Sequence, residues 1–298
     1  MGAELTTVDD GGRRGPRAAT RTAWAGLRRR PAALFSLPIL LAWAVVIILA
    51  PVLAPYKPDA LNIPAALTPP CAAHLFGTDE LGRDVLSRVM YGGRISVPAA
   101  LAVVIMSLVV GSCIGLIGGY RRGWVDDVLM RVTDVFMAFP LILLAMAIGA
   151  SLGPGIVNGI IALSVVTWPS YARVTRSVTL ELRNREFVLA STVAGRRPVS
   201  ILIRVVFPNV LPTILVMASV DVGRAIVNFS VLSFIGLAAQ PPAAEWGSMV
   251  ADGASYPSQW WIAAFPGLAI FSLVIALNFL GDWLRDLLDP YMRVRRVV

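Results

Sequence analysis

Apolar and polar positions alternate in long blocks along this chain, and the block lengths predict a bundle of membrane-crossing helices. A run from Leu34 to Leu53 is long enough to cross a bilayer. Further apolar runs follow at Ile95–Ile117, Val128–Leu152, Ile156–Tyr171, Val210–Leu237 and Trp260–Leu280. Together they predict an all-α polytopic fold with six transmembrane helices, the fifth interrupted by Pro212, Gly223 and Gly236. In the second span, Gly111, Gly115, Gly118 and Gly119 lie on or near one face, the spacing that lets helix backbones approach closely in lipid.

The polar blocks set the orientation. Residues 1–33 form an expected disordered cytoplasmic tail, with seven arginines against three acids up to Arg30. The Arg28–Arg30 cluster resembles the start of a signal peptide, but the run after it has full spanning length and no small-x-small cleavage site, so it is read as an uncleaved helix (34–54). Residues 55–94 are expected outside, opening with Pro55, Pro58, Pro64, Pro69 and Pro70. From Leu81 the pattern predicts an amphipathic interfacial helix, with Val85, Leu86, Val89 and Met90 opposite Arg83, Asp84 and Arg88. Its arginines run against the positive-inside rule, with Asp79, Glu80 and Asp84 beside them. The remaining core is placed at 95–282 and a second cytoplasmic tail at 283–298, ending in Arg293, Arg295 and Arg296. Both termini are then inside.

Between the fourth and fifth spans lies a polar island, the loop 177–205. Seven arginines and two glutamates fall between Arg173 and Arg204. Its pattern predicts a helix from Ser177 to Ala194, a left-handed stop at Gly195, and a second short helix opening on Pro198 with Ile201, Leu202 and Val205 as an apolar stripe. Such a knob has small residues (Ala190, Ser191) for close contact. Arg185, Arg196 and Arg197 are available for acidic partners. Positive-inside bias alone would also explain the arginines.

Composition agrees with an integral membrane protein. Of 298 residues, 57% are hydrophobic and 15% charged, against roughly 25% charged in soluble domains, and the mean hydropathy is +0.73. The net charge of +8 is concentrated at the ends of apolar runs, as membrane topology requires, which argues against a nucleic-acid partner. Cys71 and Cys113 have no metal or disulfide spacing and read as small unpaired side chains. Lys57 is the single lysine and no GxxxxGK[ST] is present, so the chain cannot build a P-loop for ATP and is not expected to be an enzyme. His74 is the single histidine; it is expected to be solvated, and no metal site is expected. Asp221, Arg224 and Asn228 lie one turn apart in the fifth span. Charges at bilayer depth cost about 2.5–3.5 kcal/mol on insertion scales, so they must face protein or a watery path. Two readings stay open: they line a polar path through the membrane, or they pin this helix to a neighbour. Asn158 and Asn278 read as interhelical hydrogen-bonders.

The island resembles the cytoplasmic signature of inner-membrane permease subunits of binding-protein-dependent ABC importers: Glu-Ala-Ala, three residues, Gly, nine residues, then Ile-x-Leu-Pro. Ala190, Gly195 and Pro208 match in register, followed by Asn209. Leu189, Ser191, Val205 and Phe207 depart from it, and Glu186 lies one turn before the missing glutamate. FGTDELGRDVLSRVMYGGRISV (76–97), LSFIGLAAQPPAAEWGSMVADG (232–253) and FPGLAIFSLVIALNFLGDWLRDLLDP (265–290) resemble the C-type permease of the dipeptide, oligopeptide and nickel group. This resemblance implies a type I ABC importer permease fold in a bacterial inner membrane. It implies a heterodimer with a B-type permease, two cytoplasmic ATPase subunits that hold ATP and Mg, and an extracytoplasmic solute-binding protein. The expected cargo is short peptides. Nickel is the alternative within the group, and an ion-coupled secondary transporter or a membrane enzyme the alternatives outside it.

Overall fold

The computed structural model describes the backbone of residues 31–288 and the side chains of 35–285. The outer parts of both expected tails, 1–30 and 289–298, lie outside the described residues. The elements are helices: α1 (Pro31–Leu53), α2 (Val85–Arg121), α3 (Trp124–Met137), α4 (Leu141–Leu152), α5 (Ile156–Arg183), α6 (Glu186–Val193), α7 (Pro198–Ile201), α8 (Phe207–Phe234), α9 (Trp246–Ala254) and α10 (Trp261–Leu288). One isolated bridge, Thr78 to Asp84, is the sole β pairing among the described residues.

Four stretches are long and apolar enough to cross a membrane: Phe35–Leu53, Val85–Arg121, Pro198–Phe234 and Trp261–Arg285. The pair α3 and α4 makes a fifth if counted as one span, bent by 89° around Pro140. The expected count of six is not reached on length and apolarity, because α5 carries Arg173, Arg176, Glu181 and Arg183 in its second half. Expected boundaries move in several places. No break separates an interfacial helix from the second span: α2 is one helix of 37 residues, running through Pro98 and capped by the Asp84 carboxylate, which accepts from the Ser87 amide at 2.8 Å. The fifth span continues through Pro212 and Gly223 and ends before Gly236, whose φ is +82°. α10 continues past residue 282 to Leu288, into the region expected as tail.

The centre of the bundle is α2 against α5. A Cβ on Gly111 would lie 2.4 Å from the Trp168 carbonyl oxygen, and one on Gly115 at 2.4 Å from that of Ala172. The two backbones are therefore in direct contact, as the glycine spacing predicts. Gly119 meets Thr179 in the same row, whereas Gly118 points at Asp126 of α3. At the α3 side, Arg176 donates to both carboxylate oxygens of Asp126, at 2.5 and 2.6 Å, and Arg173 to Asp134 at 2.6 Å. α8 and α10 pack antiparallel: Gly281 meets Val220, while Gly223 faces Asn278 and Val274. The bundle has two ends. One carries α6 and α7 and is called the loop end; the other carries 54–84 and α9.

Candidate functional site

At the loop end the expected knob is present with its first helix in two pieces. α5 stops at Arg183; Asn184 and Arg185 donate back to Glu181 and Leu182, and α6 starts afresh at Glu186. The Arg185 guanidinium pairs with Glu181 across this break at 2.5 Å. Gly195 has φ +72°, and Arg196 donates back to the Ser191 carbonyl, so the glycine closes α6 in the left-handed conformation expected of it. Pro198 opens α7. A widened π turn, Leu202–Val206, then leads into α8 just ahead of Pro208, which has no N–H to give to that turn.

Val188, Ile201 and Val206 are buried with Leu116, Val210 and Ile214 in a small core that fixes the knob to α2 and α8. The opposite side is exposed: Glu186, Ala190, Arg196 and Arg197, with Phe187, Leu189, Val199 and Ile203, and Val193 at 88% exposure. Arg185, Glu186, Ala190, Ser191, Gly195, Arg196 and Arg197 are thus gathered in one projection, while Pro208 sits apart at the start of α8. The apolar members of this surface were legible as large side chains in a loop otherwise rich in charge, and the sequence reading passed over them.

Halfway along α8 and α10 is a cleft of about 540 Å³. Arg224, Asn228, Asn278 and Asp282 line it, with Gly223 and three valines. Arg224 is 74% exposed by side chain and donates to the buried Asp221 carboxylate at 3.3 Å. So two of the three predicted path residues, Arg224 and Asn228, face the cleft, and Asp221 stands behind them. Asn278 is in the cleft too, whereas Asn158 ties the α4–α5 turn by donating to Leu152 and Gly153 at 3.0 Å. Asp282 was missed; its four-residue spacing from Asn278 was the available signal.

At the other end the polar face expected to lie in water is buried instead. Arg83, Asp84 and Arg88 are each no more than 3% exposed, and Leu81 is outside. Asp79 accepts from Arg83 at 2.6 Å and lies 3.5 Å from Arg88; Glu80 accepts from Arg83 at 2.8 Å, and Asp252 of α9 is 4.0 Å away. Carboxylates thus accompany both buried guanidiniums at this end. Burial, with the Asp79 charge adding to it, raises the Glu80 and Asp252 carboxyls above their usual range. His74, expected to be solvated, is half-buried with Nδ1 2.9 Å from Asp84. Nearby, Glu245 is fully buried, accepts from Ser96 at 2.8 Å and caps α9 through Ser248; burial raises its carboxyl also. Trp246 fills the space left by Gly92 and Gly93 and donates to the Val89 carbonyl at 2.9 Å.

Residues 111–294 match the family described as binding-protein-dependent transport system inner membrane component, and 19–70 match the N-terminal transmembrane domain of oligopeptide transport permease C. The probable D,D-dipeptide transport system permease protein DdpC of Escherichia coli is 41% identical, over 89% of each chain. The dipeptide permease DppC of Haemophilus influenzae is 37% identical over 93% of this chain and 97% of its own. The nickel permease NikC of Escherichia coli is 41% identical over 80% of this chain and 86% of its own. In fold, the chain is similar to the MetNI methionine ABC transporter solved in inward-facing conformations, with a TM-score of 0.56 at 18% identity over 68% of this chain and 97% of that one. With the family matched over most of its length, this chain belongs to the inner-membrane permease components of binding-protein-dependent ABC importers.

Proposed function

We propose that this chain is one of two unlike permease subunits of an ATP-driven importer for short peptides, with its termini and its knob in the cytoplasm. The observation that carries the coupling role is the knob itself: an exposed, partly apolar, arginine-bearing projection anchored by its own small core. A surface so constructed holds its shape while receiving a partner. Two cytoplasmic ATPase subunits, carrying ATP and Mg, receive the knobs of this chain and of a B-type permease. Closure of the ATPases draws the two knobs together, and the bundles rock from inward to outward opening. A solute-binding protein docked outside then releases peptide into the path. No cofactor is assigned to this chain, and no catalytic residue.

Peptide is favoured as cargo because the dipeptide permeases named above are similar over almost their whole length. The nickel permease relative keeps nickel as the second reading. The test is uptake by the four-subunit complex in vesicles, with its binding protein and ATP supplied. ATP-dependent accumulation of a labelled dipeptide is the expected result; accumulation of nickel without dipeptide overturns the cargo assignment.

A further inference from the structure

The cleft between α8 and α10 is a two-sided polar ladder. Side chains four apart on a helix stand above one another, about 5–6 Å per step. α8 contributes Arg224 and Asn228; α10 contributes Asn278 and Asp282. Their relative heights follow from the packing. Gly223 faces the Asn278 side-chain oxygen, so Arg224 and Asn278 stand at one level, while Gly281 opposes Val220 one turn nearer the loop end. The order is therefore Asn228, then Arg224 with Asn278, then Asp282 nearest the knob. A cation and an anion are offset by about one turn on opposite walls.

We infer that this ladder reads both ends of a short zwitterionic peptide, its carboxylate at Arg224 and its ammonium at Asp282, the ammonium leading toward the loop end. The inference rests on the proposed peptide-importing function. Chain geometry fits it. Two extended residues span about 7 Å and three about 10 Å, each longer than the single turn of about 5.4 Å that offsets the two charges along the helices. The guanidinium has five N–H donors; Asp221 takes one position, and the side chain, 74% exposed, lines the cleft with the others left over. Asp221, buried and ionically paired, thereby aims the arginine. Asn228 and Asn278 carry both donors and acceptors, suited to a peptide amide between the two termini. Charges at bilayer depth must face protein or water, and the concave space between α8 and α10 offers the second.

The test uses the complete importer in vesicles, with labelled dipeptide delivered on its binding protein, and reads peptide moved per ATP hydrolysed. Arg224→Gln and Asp282→Asn are each expected to lower that ratio about tenfold, with the charge-keeping Arg224→Lys and Asp282→Glu falling between these and the parent. Two parallel variants on different helices guard against a folding failure in one. An unchanged ratio in Arg224→Gln and Asp282→Asn overturns the cleft assignment. So does loss of the second permease on purification with the ratio kept in what remains assembled, since the residues then serve the interface. If the parent complex moves nickel and no dipeptide, the proposed function itself fails.

Discussion

Single residues at the two ends of the bundle carry opposite kinds of constraint. At Gly195 nothing lies within 4 Å of the position a Cβ would take, so the glycine answers to its φ of +72° and to whatever sits against the knob from outside. Alanine there meets only the left-handed penalty of about 1–2 kcal/mol, and Gly195→Ala is expected to retain uptake. Gly195→Trp projects into the docking space and is expected to leave ATP hydrolysis while abolishing uptake. Assaying both activities in one preparation checks this, and normal uptake by the tryptophan variant would remove the knob from the coupling scheme. Asp79 is the reverse case, a carboxylate serving two buried guanidiniums. Removing one partner of a buried ion pair leaves charge without compensation, so Asp79→Asn is expected to lose about 3–5 kcal/mol, read as an earlier thermal unfolding in detergent. Asp252 predicts a pH effect. Its folded carboxyl titrates above the ordinary value because of burial, only partly offset by Arg88 and Arg83. The folded state thus holds that proton more tightly, and the stability gained below the ordinary carboxyl range is lost as pH rises through the raised value. Asp252→Asn should flatten thermal stability across mildly acid pH and leave it no lower at neutral pH. A variant with the parent's full pH slope would assign the slope to Glu80 or Glu245.

Elements are where sequence and structure agree most and where their disagreements are physical. The glycine row of α2 was legible because four-residue spacing has one simple use in lipid, and Gly111 and Gly115 do meet the α5 backbone. A graded prediction follows from the distances. Gly115→Val drives a side chain into the Ala172 carbonyl, which cannot move without its helix, and is expected to lose at least 1–3 kcal/mol or to block assembly. Gly118→Ala faces the end of the Asp126 side chain at 3.0 Å and should be much milder. Melting temperatures of the two variants in one detergent decide it, and equal losses would mean that the α2–α5 contact is not the tight one. Boundaries were less legible. Helical periodicity near Leu81–Met90 reveals a two-faced segment but not that both faces are inside: Val85 and Val89 join the core while Asp79, Glu80 and Asp252 accompany the equally buried arginines. Asp252 lies far along the sequence in α9, so no local pattern could supply it. Likewise the break at Asn184–Arg185 has no glycine or proline to announce it, and the charges past Tyr171 mark the end of an apolar run but not of the helix, which continues through Arg183.

For the whole molecule, what the sequence conveyed well was class: apolar block lengths, arginine placement and three separated motifs all pointed to one kind of membrane subunit. It conveyed less about which polar residues share a space. Asp282 joins Arg224 only because α8 and α10 pack antiparallel in one particular register, a fact that rests on Val220 meeting Gly281. The assembled importer supplies the last prediction. The knob and the cleft lie on different surfaces of this chain, one at the loop end and one halfway along α8 and α10, so damage to the knob should separate two partners. Phe187 and Val193 are exposed apolar groups on α6 and away from its buried anchor at Val188. Carboxylates in their place would put charge into an apolar contact without disturbing the small core beneath. Phe187→Glu combined with Val193→Glu is therefore expected to purify with the second permease in equal amount but with little ATPase, whereas the parent brings down both. Stoichiometry by mass spectrometry reads the result. Loss of both partners together would mean that the permease pair is held by the ATPases rather than by its own helices, and full retention of ATPase would place the docking surface elsewhere on the loop end.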